Sequence, residues 1–125
     1  MKPHIVIIED DPVVLRLVEF ILTKERYCVT TLPAIGTVEA LIDLNADCYI
    51  LDEQLPFVNG HIIAIILKSN ERTKNVPVIL MSAYAELETF ASLCKADAYL
   101  KKPFEADTLL KLVAKALAQP HYSLN

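Results

Sequence analysis

Four apolar runs in this chain each stop on a polar group, and that arrangement leaves few folds open. His4-Ile5-Val6-Ile7-Ile8 stops on Glu9-Asp10-Asp11, and Cys48-Tyr49-Ile50-Leu51 stops on Asp52. Val78-Ile79-Leu80-Met81 stops on Ser82, and Ala98-Tyr99-Leu100 on Lys101-Lys102 ahead of Pro103-Phe104. Continuous aliphatic and β-branched residues mark strands buried on both faces, as in parallel sheets covered by helices. In open sheets of that kind, ligands bind outside the carboxyl ends of the strands. The pattern therefore predicts that Glu9, Asp10, Asp52, Ser82 and Lys102 converge in one crevice. A carboxylate cluster, an isolated Asp, a hydroxyl and a Lys together suit a divalent metal and a phosphoryl group.

Helical segments lie between the runs. Asp11-Pro12 reads as an N-cap followed by Pro at the first helical position. The helix it opens runs to about Arg26, with Val14, Leu17, Val18, Ile21 and Leu22 as its inner stripe. Tyr27 to Leu32 is a further strand. Thr37 caps a short helix through Leu44, with Val38, Leu41 and Ile42 inward, and Asn59-Gly60 marks the turn into a helix over residues 61–70 that is apolar almost all round. Glu86 to Leu93 forms a short, weak helix with Leu87, Phe90 and Leu93 on one side. Glu105 to Ala118 forms the last, with Leu109, Leu110, Val113 and Leu117 inward. Five βα units with short connections predict an α/β fold, a central parallel sheet with helices on both faces.

A chain of 125 residues with 54% hydrophobic residues suits one domain with one core. The net charge of -4 gives no basic footprint for nucleic acid. The longest apolar run, Ile62 to Leu67, is too short to span a bilayer. Cys28, Cys48 and Cys94 form no CxxC pair, and Cys28 and Cys48 read as small buried apolar residues. An odd cysteine count with no visible targeting peptide fits a reducing cytoplasm.

Taken singly, each polar group has a plain structural reading: a turn Asp, a solvated acidic run, a surface Lys, a loop Ser. Their order along the chain, each at a different strand end, is what carries the signal. Asp52 is the candidate nucleophile, since a carboxylate can attack phosphorus to give an acyl phosphate. Crowded carboxylates need a cation, and hard oxygen donors suit Mg²⁺. Asp11 serves as N-cap, which leaves Glu9, Asp10 and Asp52 for metal. Lys102 stands before Pro103, where the backbone is held extended and can aim the ammonium across the strand ends. Lys101, on the opposite pleat, faces out. Glu53 adds charge beside Asp52, although strand alternation points it away.

The order Glu9-Asp10, Asp52, Ser82, Lys102-Pro103-Phe104 resembles the receiver domain of two-component response regulators (the CheY-like superfamily). Ile8-Glu9-Asp10-Asp11-Pro12, Asp52 with Leu55-Pro56 and Asn59-Gly60, Ser82-Ala83, and Tyr99-Leu100-Lys101-Lys102-Pro103-Phe104 carry the resemblance, which extends over roughly Lys2 to Ala118. It implies a flavodoxin-like sheet of order 2-1-3-4-5. It implies Asp52 as phosphoacceptor charged by a sensor histidine kinase or phosphotransfer protein. Asp10 becomes a direct Mg²⁺ ligand, Glu9 a partner acting largely through water, and the carbonyl of Gln54 a further ligand. Lys102 binds the phosphoryl group, Ser82 and Tyr99 form the switching pair, and the Lys102-Pro103 bond is cis in many members.

Departures are visible too. Ser82 stands where Thr is commoner, and the stretch from Ser82 to Lys102 is about two residues short of the family pattern. Cys94-Lys95-Ala96-Asp97 lacks the usual glycine before the fifth strand, so an altered or frayed fourth helix is expected. Gln54 and Tyr84 occupy positions that tune phosphoryl lifetime in the family. The resemblance makes residues 1–119 the receiver domain and 120–125 a C-terminal stub, with an output domain or downstream protein as target. It also implies kinase docking near the first helix, at residues such as Val13 or Phe20, and the loop after the fifth strand, and a homodimer through the fourth helix, fifth strand and fifth helix. The chain would then be no enzyme beyond its own phosphorylation and dephosphorylation. An aspartyl phosphatase wants a second Asp two residues after the nucleophile, where Gln54 stands. An unphosphorylated interaction module would be expected to have lost one of the site residues, and all are present. Flavin binding lacks a phosphate loop after the first strand.

Overall fold

In the computed structural model, which describes residues 2–119, five strands alternate with five helices. The strands are β1 (His4–Ile8), β2 (Cys28–Leu32), β3 (Cys48–Asp52), β4 (Val78–Ser82) and β5 (Ala98–Lys101). The helices are α1 (Pro12–Lys24), α2 (Val38–Asp43), α3 (Gly60–Lys68), α4 (Leu87–Leu93) and α5 (Ala106–Ala118). All strands are parallel, in the expected order β2-β1-β3-β4-β5. Element ends differ from the sequence reading by a residue or two, and residues 120–125, the expected stub, lie outside the described residues.

Pleat parity divides the core into two layers. Ile5, Ile7, Cys48, Ile50, Ile79 and Met81 face α1 and α5, where Val18, Leu22, Leu109 and Val113 cover them. Val6, Ile8, Tyr49, Leu51, Val78 and Leu80 face α2, α3 and α4, where Leu41, Ile63, Leu67, Leu87 and Ala91 cover them. β1, β3 and β4 therefore read as unbroken apolar runs because both faces are dry. Their shared carboxyl edge carries Glu9, Asp52 and Ser82.

Three sequence expectations need correcting. Cys28 is exposed, because it opens the edge strand β2, while Cys48 is buried as expected and burial pushes its thiol up to about 12. Leu17 and Leu93 face outward rather than into the core; Ala91 and Cys94 take the inward places on α4. The C-terminus of α4 is short but not frayed. Lys95 adopts φ +58, and the amides of Lys95 and Ala96 donate to the carbonyls of Ser92 (3.3 Å) and Ala91 (2.9 Å). That is the closure a glycine would make, here with a side chain in a left-handed position. Asp97, two residues on, accepts from the amide of Val78 (2.8 Å) and from Lys68 Nζ (2.7 Å), which holds the following chain against β4.

Candidate functional site

Local sequence explains how each group reaches the crevice. The Asp11 side chain accepts from the amide of Val13 at 2.9 Å, and Pro12 opens α1, so the chain turns sharply after Glu9-Asp10. Glu9 is held by its own turn, its carboxylate accepting from the amide of Asp11 at 3.0 Å. Asp52 ends β3 between β1 and β4. Gly60, at the start of α3, lies so close behind it that a Cβ there would run into the Asp52 carbonyl oxygen. The Lys102-Pro103 bond is cis, and the amide of Lys102 donates to the carbonyl of Ser82 at 2.9 Å.

These placements bring Lys102 between two buried carboxylates. Its Nζ lies 2.6 Å from Glu9 Oε1 and 2.9 Å from Asp52 Oδ1. Glu9 is 1% exposed and Asp52 2%. Asp10 is exposed at the rim, and one carboxylate oxygen from each of Glu9, Asp10 and Asp52 falls within 4.8 Å of the others. Burial raises the Glu9 carboxyl above its ordinary range, and the bond to Lys102 offsets this only in part. Burial works to lower the Lys102 ammonium, but its bonds to Glu9 and Asp52 outweigh that and leave it above the usual lysine range. Three carboxylates against one ammonium leave net negative charge. Hard oxygens of that kind fit a small divalent cation.

Ser82 and Tyr99 are not both at the crevice. Ser82 is fully buried, and its Oγ donates to Gln54 Oε1 at 2.9 Å while accepting from the amide of Tyr84 at 3.0 Å. The hydroxyl is therefore engaged by Gln54. Tyr99 is 44% exposed on β5. Lys101 is exposed, as its pleat position predicts.

The sequence reading assigned Glu53 no partner. It points away from Asp52, as alternation requires, but it is fully buried rather than solvated. Its carboxylate accepts from the amide of His61 at 2.9 Å and lies 2.6 Å from His61 Nδ1. The available signal was parity: Glu53 shares the Leu51 face, which must meet α3.

The sequence profile of the response regulator receiver domain matches residues 5–114. The DNA-binding dual master transcriptional regulator RpaA of Synechocystis sp. is 33% identical over 120 residues, covering 92% of this chain and 49% of that protein. The transcriptional regulatory protein FixJ of Bradyrhizobium diazoefficiens is 26% identical, covering 94% of this chain and 58% of that protein. The chain thus spans about half the length of these relatives. A CheY-like receiver domain structure from Methanospirillum hungatei superposes with TM-score 0.84 at 27% identity, over 94% of both chains. The beryllofluoride-activated DrrB receiver domain superposes with TM-score 0.79 at 25% identity, covering 95% of this chain and 100% of that one. Among the described residues, no helix is long and apolar enough to cross a membrane.

Proposed function

The chain belongs to the response regulator receiver domain family, and we propose that it is a phosphorylation-controlled switch whose phosphoacceptor is Asp52. The observation that carries this reading is the Lys102 ammonium set between Glu9 and Asp52 at the carboxyl edge of the sheet. A carboxylate oxygen of Asp52 attacks phosphorus, and the phosphorus–nitrogen bond of a phosphohistidine donor breaks. The electron pair leaves with the imidazole nitrogen, which picks up a proton, and an acyl phosphate remains on Asp52. The donor is a sensor histidine kinase or phosphotransfer protein; small acyl phosphates supply the same group. Beyond this self-modification no catalysis is proposed.

Charge is the main obstacle, because the incoming group is anionic and the crevice is too. Lys102 lies where it neutralises phosphoryl oxygens as they approach Asp52. Glu9, Asp10, Asp52 and the backbone carbonyl of Gln54 would hold Mg²⁺, with Glu9 acting largely through water. When bound, that ion screens the phosphoryl oxygens. Ser82 is held by Gln54 and the Tyr99 ring is outward, the arrangement we assign to the resting switch. Phosphorylation favours the alternative, in which the Ser82 hydroxyl donates to the phosphoryl group and Tyr99 turns in.

Kinase recognition falls to the first helix, where Val13, Leu17 and Phe20 are exposed next to an apolar cleft lined by Val14, Leu17, Ala83, Pro103 and Phe104. Output passes to a following domain or a separate protein in the cytoplasm, or to a second copy through the α4–β5–α5 face. Beryllofluoride, which activates the related DrrB receiver, is the natural probe.

The test is intact-protein mass after incubation with acetyl phosphate, with and without Mg²⁺. Wild type should gain one phosphoryl group only with Mg²⁺, and Asp52→Asn should gain none. Folded wild-type protein that takes no phosphoryl group and shows no amide shift changes with beryllofluoride would overturn the reading in favour of an unphosphorylated interaction module.

A further inference from the structure

We propose that Glu53 and His61 are a positioning pair that sets the resting place of α4 and thereby resists phosphorylation of Asp52. This rests on the receiver reading above. Glu53 follows Asp52 directly, is 0% exposed, and has no part in the chemistry just described. It is pinned from four directions. Its amide donates to the carbonyl of Met81 (2.8 Å) and its carbonyl accepts from the amide of Gly60 (3.0 Å). Its carboxylate accepts from the amide of His61 and faces the His61 ring. Asn59, the N-cap of α3, makes no side-chain capping bond, so Glu53 supplies the oxygen at that helix start.

The 2.6 Å contact between Glu53 and His61 Nδ1, with the backbone bond beside it, fixes the orientation of the ring. The ring lies flat against Phe90 of α4, with centroids 4.7 Å apart and planes 12° apart. α4 has seven residues and no side-chain cap at its start, and besides the core packing of Leu87, Ala91 and Cys94 two contacts bear on where it rests. One hold is the Phe90 stack. The other is upstream, where Ser82 Oγ accepts from the amide of Tyr84 and the amide of Leu87 donates to the carbonyl of Tyr84 (3.2 Å).

The two holds oppose each other once Ser82 moves. If the hydroxyl leaves Gln54 for a phosphoryl group on Asp52, it draws Tyr84 and the first turn of α4 with it. His61 does not follow, because Glu53 and α3 keep it in place. The stack must loosen, so it favours the unphosphorylated arrangement. An aromatic pair of this kind shifts an equilibrium about two- to tenfold.

Two substitutions separate this role from simple packing. His61→Gln keeps an amide donor for Glu53 but removes the ring; Phe90→Leu keeps apolar volume but removes the stack. Each should raise the rate of Asp52 phosphorylation by acetyl phosphate about two- to tenfold. Each should also speed amide exchange in α4, but not α5, by a similar factor in the absence of phosphodonor. The double variant should do no more than either single, because both remove one contact. Unchanged rates in both singles, or effects that multiply in the double, would overturn the inference while leaving the receiver reading intact. A folded wild type that takes no phosphoryl group at Asp52 would overturn both. Should His61→Gln fail to fold, Phe90→Leu carries the same comparison.

Discussion

Asp52 and Glu53 are neighbours in sequence, both carboxylates and both buried, yet they serve opposite ends. Asp52 faces the α1–α5 side and is partnered by the tip of a flexible lysine. Glu53 faces the α3–α4 side and is partnered by a backbone amide and a ring that is itself stacked. A Lys ammonium is a compact charge on a four-carbon stem and can exchange one anion for another. A helix amide and a stacked imidazole cannot. Two adjacent buried acids are thus held in different ways: the partner of one can be exchanged for another anion, and the partners of the other cannot.

Breaking each pocket in turn sharpens the contrast. The largest effect is expected from Lys102→Met, which leaves Glu9 and Asp52 facing each other without a counter-charge. It should cost about 2–4 kcal/mol in urea unfolding without metal, and added Mg²⁺ should restore part of that. Phosphorylation should fall steeply in this variant even with Mg²⁺. Glu53→Ala should cost less, about 1–3 kcal/mol, because it strands the start of α3 and His61 but relieves a buried charge. Mg²⁺ should not rescue it.

A smaller effect separates the two acids of the crevice by pH. Glu9 keeps its proton to higher pH than an ordinary glutamate, whose value is 4.5, so Mg²⁺ and a proton compete there. Titration calorimetry should show Mg²⁺ affinity falling with acidification while the pH is still above 4.5. The metal-free protein should respond with the opposite sign. A raised carboxyl contributes stability that is full below the unfolded value and lost as pH rises through the folded one. The Lys102 contribution is likewise lost only as pH rises beyond the usual lysine range. The smallest effect is expected at Lys95. Lys95→Gly relieves a left-handed residue but frees the unfolded chain, for a net gain of about 0.5–1 kcal/mol, readable as a rise in Tm.

Much of the fold was legible beforehand for a local reason. Unbroken runs such as Ile5–Ile8 and Val78–Met81 are dictated by burial on both faces, which needs no knowledge of the neighbour's identity. Cys28 misled because the same apolar start reads alike in a central and an edge strand, and only sheet order tells them apart. Leu17 and Leu93 misled because a helical stripe has soft edges, where the packing of the next element decides burial. Lys95 misled because a missing glycine raises the energy of a left-handed turn without forbidding it.

The sequence by itself determined which strand ends carry Glu9, Asp10, Asp52, Ser82 and Lys102, and on which side of the pleat each falls. Both follow from local periodicity, since alternation in a strand is set by covalent geometry. Tertiary structure alone decided who meets whom. Lys102 reaches Glu9 across 93 residues, Ser82 rests on Gln54 across 28, and His61 lies between Glu53 and Phe90. Those pairings depend on the order of the strands and on where α3 and α4 settle on the sheet. Packing of the whole core fixes both, and no local stretch of residues encodes them.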